Sequence, residues 1–277
     1  MNQTFSFQRF SLLVGQHWAE NRKKYLLSVV AFISLIFVWY IFVMLTDSSD
    51  PLGGNLQHIT YYFSLFLVGP FYASQFFKDL SSRTRGTNYL MVPASTLEKT
   101  LCSIFFVIVF FVVVFTAAFY IIDIITVGLA NAVHPGYAGS VDHNGVIQEA
   151  HTVNIFKLPG NPEKVSFYIF LLFFVIQSVA LLGSIYFRQY SYIKTAISIT
   201  LACLVIGLIG FYFTSFFMPR GGFNELSNYR IYSEDGNETK LVQLPEWIGK
   251  VLKYLFLYGF PPLFWVTTYF RLKEKEV

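Results

Sequence analysis

The sequence predicts an all-α integral membrane protein with six transmembrane helices, cytoplasmic N- and C-termini, and an amphipathic interfacial helix at the N-terminus. Three observations carry this. The composition is 55% hydrophobic and 19% aromatic with only 13% charged residues, outside the range of soluble domains. The apolar residues gather into runs of about 20, the length that crosses a hydrocarbon core of about 30 Å. The Lys and Arg residues cluster in short segments between alternate runs, which marks the side that stays inside. A chain of 277 residues holds about six such runs and no separate soluble domain, so residues 1–277 are a single transmembrane domain.

Residues 5–21 place Phe5, Phe10, Leu13, Val14 and Trp18 against Gln8, Arg9, Gln16 and Glu20 at helical spacing. This is a helix lying in the interface, with Trp18 at headgroup depth. Arg22, Lys23 and Lys24 separate it from the first span, 25–45. That run is too long for a signal peptide and no small-residue cleavage pattern follows it. Segment 46–55 carries Asp47, Asp50, Pro51 and two glycines but no basic residue, which assigns it to the outside. The second span, 56–77, has Gly69 and Pro70 near its middle, where a kink is expected. Gating and simple packing geometry both account for such a kink.

The polar stretch 78–100 is the most informative. Lys78, Arg83, Arg85 and Lys99 place it on the inside. Gly86 and the polar residues from Ser81 to Asn88 read as turn-forming. Tyr89, Leu90, Met91 and Val92 form an apolar run too short to span, lying against a protein partner or the membrane surface. Pro93 breaks the chain, and Ser95 to Glu98 fit the S-x-x-E capping box, so a helix is expected to start at Ser95 in water and continue into the third span.

A charged segment closing a second span, then Gly86-Thr87, a short apolar run, Pro93 with Ser95 close behind, and Lys99 just before a third span resembles the first cytoplasmic loop of ABC-2 type transporter permeases. The N-terminal interfacial helix adds a second point of likeness. The resemblance implies that this loop docks on a separate ATPase subunit through Arg83, Arg85, Gly86, Leu90, Met91, Pro93, Ser95, Glu98 and Lys99. It also implies that two permease chains pair as a homo- or heterodimer to form an export pathway.

The third span, 101–130, exceeds the hydrocarbon thickness at 1.5 Å per residue and must tilt or protrude. Asp123 then falls near the outer headgroups and reads as an interfacial carboxylate. The loop 131–165 contains His134, His143, His151, Asp142 and Glu149 without a recognised ligand spacing, so these read as solvated residues. The fourth span, 166–187, has Gln177 near its centre; an interhelical hydrogen bond and a substrate contact are both open. Arg188 and Lys194 bracket an inside turn before the fifth span, 195–218. Loop 219–249 holds five acidic residues and is assigned outside. In the last span, 246–270, Gly259-Phe260-Pro261-Pro262 is expected to break the helix, and the resemblance implies a short re-entrant segment there. The basic tail from Arg271 belongs inside. About 13 of the 20 Lys and Arg lie on the inside in this scheme, as the positive-inside rule requires.

No G-x-x-x-x-G-K-[ST] motif is present, so nucleotide hydrolysis would fall to another chain. The spans lack the paired acids, Ser/His sets and H-E-x-x-H motifs of intramembrane enzymes, so no catalytic role, cofactor, metal or nucleic acid is expected. The formal net charge of +4 is assigned to orientation and lipid headgroups. The expected function is a permease subunit in the inner (plasma) membrane. The alternatives are a non-catalytic scaffold subunit of a larger membrane complex and a secondary transporter, whose buried acids or unwound midplane helices are hinted at only by Gly69, Pro70 and Gln177, with no inverted repeat in the sequence.

Overall fold

The computed structural model describes residues 5–46, 52–133, 150–157, 164–187, 189–217, 221–225, 228–232, 238–243 and 245–276. It is a helical bundle. Four helical runs are long and apolar enough to cross a membrane: Phe7–Thr46, Thr96–Val133, Val165–Tyr186 and Ser191–Tyr212. The chain is therefore membrane-embedded.

Helix α1 (Phe7–Thr46) is one unbroken helix of 40 residues, about 60 Å long. The sequence reading divided it at Arg22, Lys23 and Lys24. Lys and Arg are good helix formers, and no Gly or Pro stands between Trp18 and Tyr25, so nothing in the backbone stops the helix there. The apolar stripe assigned to the interface also has a protein partner. Leu13 is buried with Cys102 and Phe106, and Phe10 and Val14 pack around them.

Helix α2 (Gly54–Gln75) passes through Pro70 without ending. A 3-10 turn (Lys78–Ser81) and helix α3 (Arg83–Met91) follow. Gly86, expected in a turn, is buried inside α3, against the backbone of Leu80. Helix α4 (Thr96–Ile104), a π-helical segment (Phe105–Phe110) and helix α5 (Phe111–Val133) form one continuous run. Helices α6 (Lys164–Tyr186) and α7 (Ser191–Phe217) come next.

Contacts fix the directions. Arg9 meets Glu98, His17 meets Phe106, and Phe32 meets Phe115, so α1 runs parallel to α4 and α5 along their length. Tyr61 reaches Thr116 and Tyr72 reaches Phe111, so α2 runs the other way. It lies parallel to α6, with Tyr62 on Phe170 and Phe66 on Phe173. The main core contains Tyr40, Tyr61, Leu65, Phe119 and Phe173, all fully buried.

Two further elements depart from expectation. Segment 219–249, expected as a loop of an all-α protein, contains strands β1 (Gly221–Glu225), β2 (Asn228–Tyr232) and β3 (Glu238–Gln243) in an antiparallel sheet of order β1-β2-β3. Phe223 faces Tyr229, and Tyr229 faces Val242. The alternation in Asn-Tyr-Arg-Ile-Tyr and the Asp235-Gly236 pair before β3 are the local signals for it. The second departure is the last run. Helices α8 (Glu246–Tyr254) and α9 (Phe260–Glu276) are joined by a π-helical segment (Leu255–Gly259) and no break occurs at Pro261 and Pro262. A wider turn just before two prolines relieves the clash of their rings with the carbonyls one turn back.

Helices α6 and α7 cross closely at Gly183. A Cβ there would stand 2.0 Å from Thr195 Oγ1 and 2.9 Å from Thr195 Cβ. Thr195 is itself buried and its hydroxyl donates to the Ser191 carbonyl, so it has little room to turn. Gly183→Ala is expected to lower stability by about 1–3 kcal/mol through overpacking. Thermal unfolding of the purified chain in one detergent, compared with Ala180→Gly on the same helix, checks it.

Candidate functional site

The chemistry of the stretch 78–100 converges on two adjacent residues, Glu98 and Lys99, which are charged yet almost fully buried. Ser95 caps α4: its hydroxyl accepts the Glu98 N–H at 3.2 Å, and Glu98 Oε2 accepts the Ser95 N–H at 2.8 Å. The capping box expected from the sequence is thus present. The other carboxylate oxygen, Oε1, accepts the Ser6 N–H at 2.7 Å and the Arg9 guanidinium at 3.0 and 3.2 Å. Ser6 directly precedes α1. One carboxylate therefore serves the N-terminal ends of two parallel helices, each of which leaves unbonded N–H groups and a partial positive charge there.

Lys99 points the other way. Its ammonium donates to the Leu90 carbonyl at 3.0 Å, in the last turn of α3, and to Glu276 Oε1 at 2.9 Å, at the end of α9. The Tyr89 ring centroid lies 5.8 Å from the same nitrogen. Burial pushes the Tyr89 phenol above its ordinary value, so this ring is a neutral neighbour of the cation. Thr96 Oγ1 donates to Glu276 Oε2, and Lys275 Nζ donates to the Ile185 carbonyl, which closes the end of α6. Five helices thus meet at two consecutive side chains and the tail of α9.

The other docking residues are placed around this clamp. Met91 is 76% exposed at the end of α3, Leu90 is half-buried, and Pro93 is exposed in the bend between α3 and α4. Arg83 and Arg85 lie in the first turn of α3, and their side chains fall outside the described residues. Glu276 and Lys275 are the partners that sequence reading missed. They stand 177 and 90 residues from the groups they bind, and no local pattern announces such a pairing.

A second polar crossing lies inside the bundle, and it brings Gly69 against Gln177, with Pro70 buried next to Gly69 on α2. Gln177 Nε2 donates to the Val107 carbonyl at 2.9 Å. Val107 sits in the π-helical segment, where the wider turn disturbs the regular bonding of carbonyls. Gln177 Oε1 is buried with no hydrogen-bond partner. At Gly69 a Cβ would stand 2.5 Å from the Phe173 ring and 2.9 Å from Gln177 Oε1, so a residue without a side chain is needed where α2 meets α6. Of the two readings, the interhelical hydrogen bond is observed.

At the far end of the bundle, segment 150–157 is strapped across α2 and α5. Gln57 donates to the Leu52 and His151 carbonyls and accepts from Val153 N. Tyr62 donates to the Ile155 carbonyl, the Tyr120 hydroxyl accepts from Ile155 N, and Asn131 bonds Ala150 in both directions. Asp123, read as an interfacial carboxylate, is fully buried at this end. A cleft of about 1180 Å³ runs between α1 and α2, from Lys24 and Lys78 near the clamp to Trp39 and Thr60 near the strap. Among the described residues no three His, Cys, Asp or Glu side chains gather as a metal site. His134, Asp142, His143 and Glu149 lie outside those residues.

No protein-family model, no curated protein and no solved structure matches this chain.

The clamp orders its own substitutions. Glu98→Gln removes the charge that four donors share and is expected to cost about 1.5–3 kcal/mol, whereas Ser95→Ala removes one cap bond at about 0.5–2 kcal/mol. Hydrogen exchange at the start of α1 separates them: it should rise for Glu98→Gln and stay unchanged for Ser95→Ala.

Proposed function

We propose that this chain is the permease subunit of an ABC-2 type transporter, driven by an ATPase on a separate chain that docks at α3. The observation that carries the reading is mechanical. A short helix ends in the exposed Met91 and is bonded, through Leu90 and Lys99, to the ends of α4 and α9. A load applied to α3 would therefore pass to the long helices of the bundle without first bending a loop. An exposed apolar residue on a polar segment suits the centre of an interface, with basic residues such as Arg83 and Arg85 at its rim.

The topology in this reading has six spans. To the four apolar runs it adds α2 and the run from α8 to α9. Helix α2 runs antiparallel to α1 and α5 and parallel to α6, the run from α8 to α9 is parallel to α6 as well, with Tyr258 on Phe167 and Lys275 on Ile185, as an alternating path requires, and the polar groups of α2, such as Gln57 and Ser64, turn inward. The clamp end is cytoplasmic, with both termini there, in the inner (plasma) membrane. A second permease chain is expected against α1 and α7, whose apolar windows are only 11% and 6% buried within one chain. The cleft between α1 and α2 lies between the two ends and would face the pathway or the lipid.

The deciding experiment is site-specific photocrosslinking from positions 90 and 91 in native membranes. Adducts with a soluble ATPase, lost when Leu90 and Met91 are both replaced by Ala, are expected; adducts with lipid alone would sink the reading. Cysteine labelling supplies the topology. A Cys at Arg85 should stay protected from an impermeant reagent added outside intact cells, and a Cys at His143 should react.

A further inference from the structure

The cleft between α1 and α2 carries all its charges at one end. Among the described residues that line it, Glu20, Lys24, Lys78 and Asp79 are charged, and the amides of Gln16, Asn21, Gln75 and Asn88 surround them. Beyond Tyr25 and Tyr72, whose ring centroids stand 5.8 Å apart, the lining holds no charged residue. The walls there are Ala31, Phe32 and Leu35 of α1 and Phe63, Leu67 and Phe71 of α2. The small hydroxyls of that stretch are bonded within the protein: Ser28 donates to the Lys24 carbonyl, Ser64 donates to that of Thr60, and the Thr60 hydroxyl accepts the Trp39 indole N–H at 3.3 Å. The long section of the cleft is therefore complementary to hydrocarbon, and the short section to a charged group.

The dimensions are those of one leaflet. Lys24 and Trp39 are separated along α1 by a rise of about 22 Å, which is half of a bilayer of about 40–45 Å measured with its headgroups. The volume is about 1180 Å³. That is more than the roughly 300–1,000 Å³ that a drug-sized molecule fills.

The charges select the headgroup. Two bases and two acids balance, so a headgroup of net negative charge would meet as many carboxylates as cations. Glu20 and Lys24 stand one turn apart on one face of α1, and each has a neutral partner: Gln16 donates to Glu20 at 2.9 Å, and Lys24 donates to Asn21 at 2.9 Å. A phosphate with an ammonium two carbons away matches such a pair, the phosphate on Lys24 and the ammonium on Glu20. A primary ammonium also donates to the surrounding amide oxygens, which a quaternary one cannot do. A second copy of this chain fits less well. Copies in one membrane share an orientation, so a two-fold axis along the normal sets Glu20 level with Glu20 and Lys24 level with Lys24, like charge facing like.

We propose that this cleft seats one resident phospholipid with an ethanolamine headgroup, drawn from the leaflet at the clamp end. Its acyl chains fill the groove between α1 and α2, and its headgroup lies on Glu20 and Lys24, with Lys78 and Asp79 on the α2 side. The site is independent of the transport reading, since it needs no ATPase.

The test is native mass spectrometry of the full chain, reconstituted in nanodiscs with equal amounts of ethanolamine, choline and glycerol phospholipids of the same acyl chains and then released into detergent. The expected result is one ethanolamine lipid per chain, retained at least tenfold over the other two. Glu20→Gln should shift retention toward the glycerol lipid. Ala31→Trp, which fills the groove without touching the charges, should abolish retention of all three. Equal retention of the three lipids by the parent would overturn the proposal, as would retention unchanged by Ala31→Trp, or a dimer that carries no lipid. A photoreactive acyl chain on the ethanolamine lipid maps the place: adducts concentrated on residues 31–39 and 59–71 are expected, and adducts spread evenly over these and α7 would mean annular lipid only and sink the idea. Should Ala31→Trp fail to insert, the parent's selectivity and the adduct map still decide.

Discussion

The Glu98 carboxylate is the interaction on which the arrangement of the bundle depends. Parallel helices bring like ends of their dipoles together, which is unfavourable unless a negative charge stands between them. Glu98 supplies that charge, and it bonds to N–H groups of both α1 and α4 besides the Arg9 side chain. Burial is tolerated because each oxygen is fully bonded. With that end fixed, the aromatic contacts follow in register from His17 on Phe106 to Phe32 on Phe115. The neighbouring Lys99 draws α3 and α9 to the same point, so the two consecutive charges organise opposite sides of one junction.

How legible this was depends on distance along the chain. The Ser95–Glu98 box was readable because its partners are three residues apart and the spacing is set by the helix. The same Glu98 also binds Ser6 and Arg9, which are 92 and 89 residues away, and nothing in the local pattern carries that information. Gln177 was readable as a polar residue needing a partner, but its acceptor in a π-helical segment of another helix was not. The charges at Arg22, Lys23 and Lys24 were read as an end of helix, although they are equally good helix residues. The prolines at 261 and 262 were read as a break because the wider turn that accommodates them is formed by the preceding, ordinary-looking residues. The small sheet was missed for a different reason: its strands of five and six residues are too short to stand out beside runs of twenty.

Both ends of the bundle solve the same problem by different means. Backbone groups at helix ends and in irregular segments must be bonded within the protein where water is scarce. The clamp end uses charges on helix termini. The strap end uses the neutral side chains of Gln57, Tyr62, Tyr120 and Asn131. Between them, Gln177 treats a disturbance within the α4–α5 run in the same way.

The parallel pairing of α1 with the α4–α5 run has a kinematic consequence. Two rods about 60 Å long that are pinned together at one end can splay, but they cannot slide past each other. The freedom left is angular, with its pivot at Glu98. A rotation of about 5° there carries the far tips apart by about 5 Å, a shift of the size seen in helix rearrangements between functional states. The π-helical segment, a few residues above the pivot, lies where a small change in winding has the longest arm to act through.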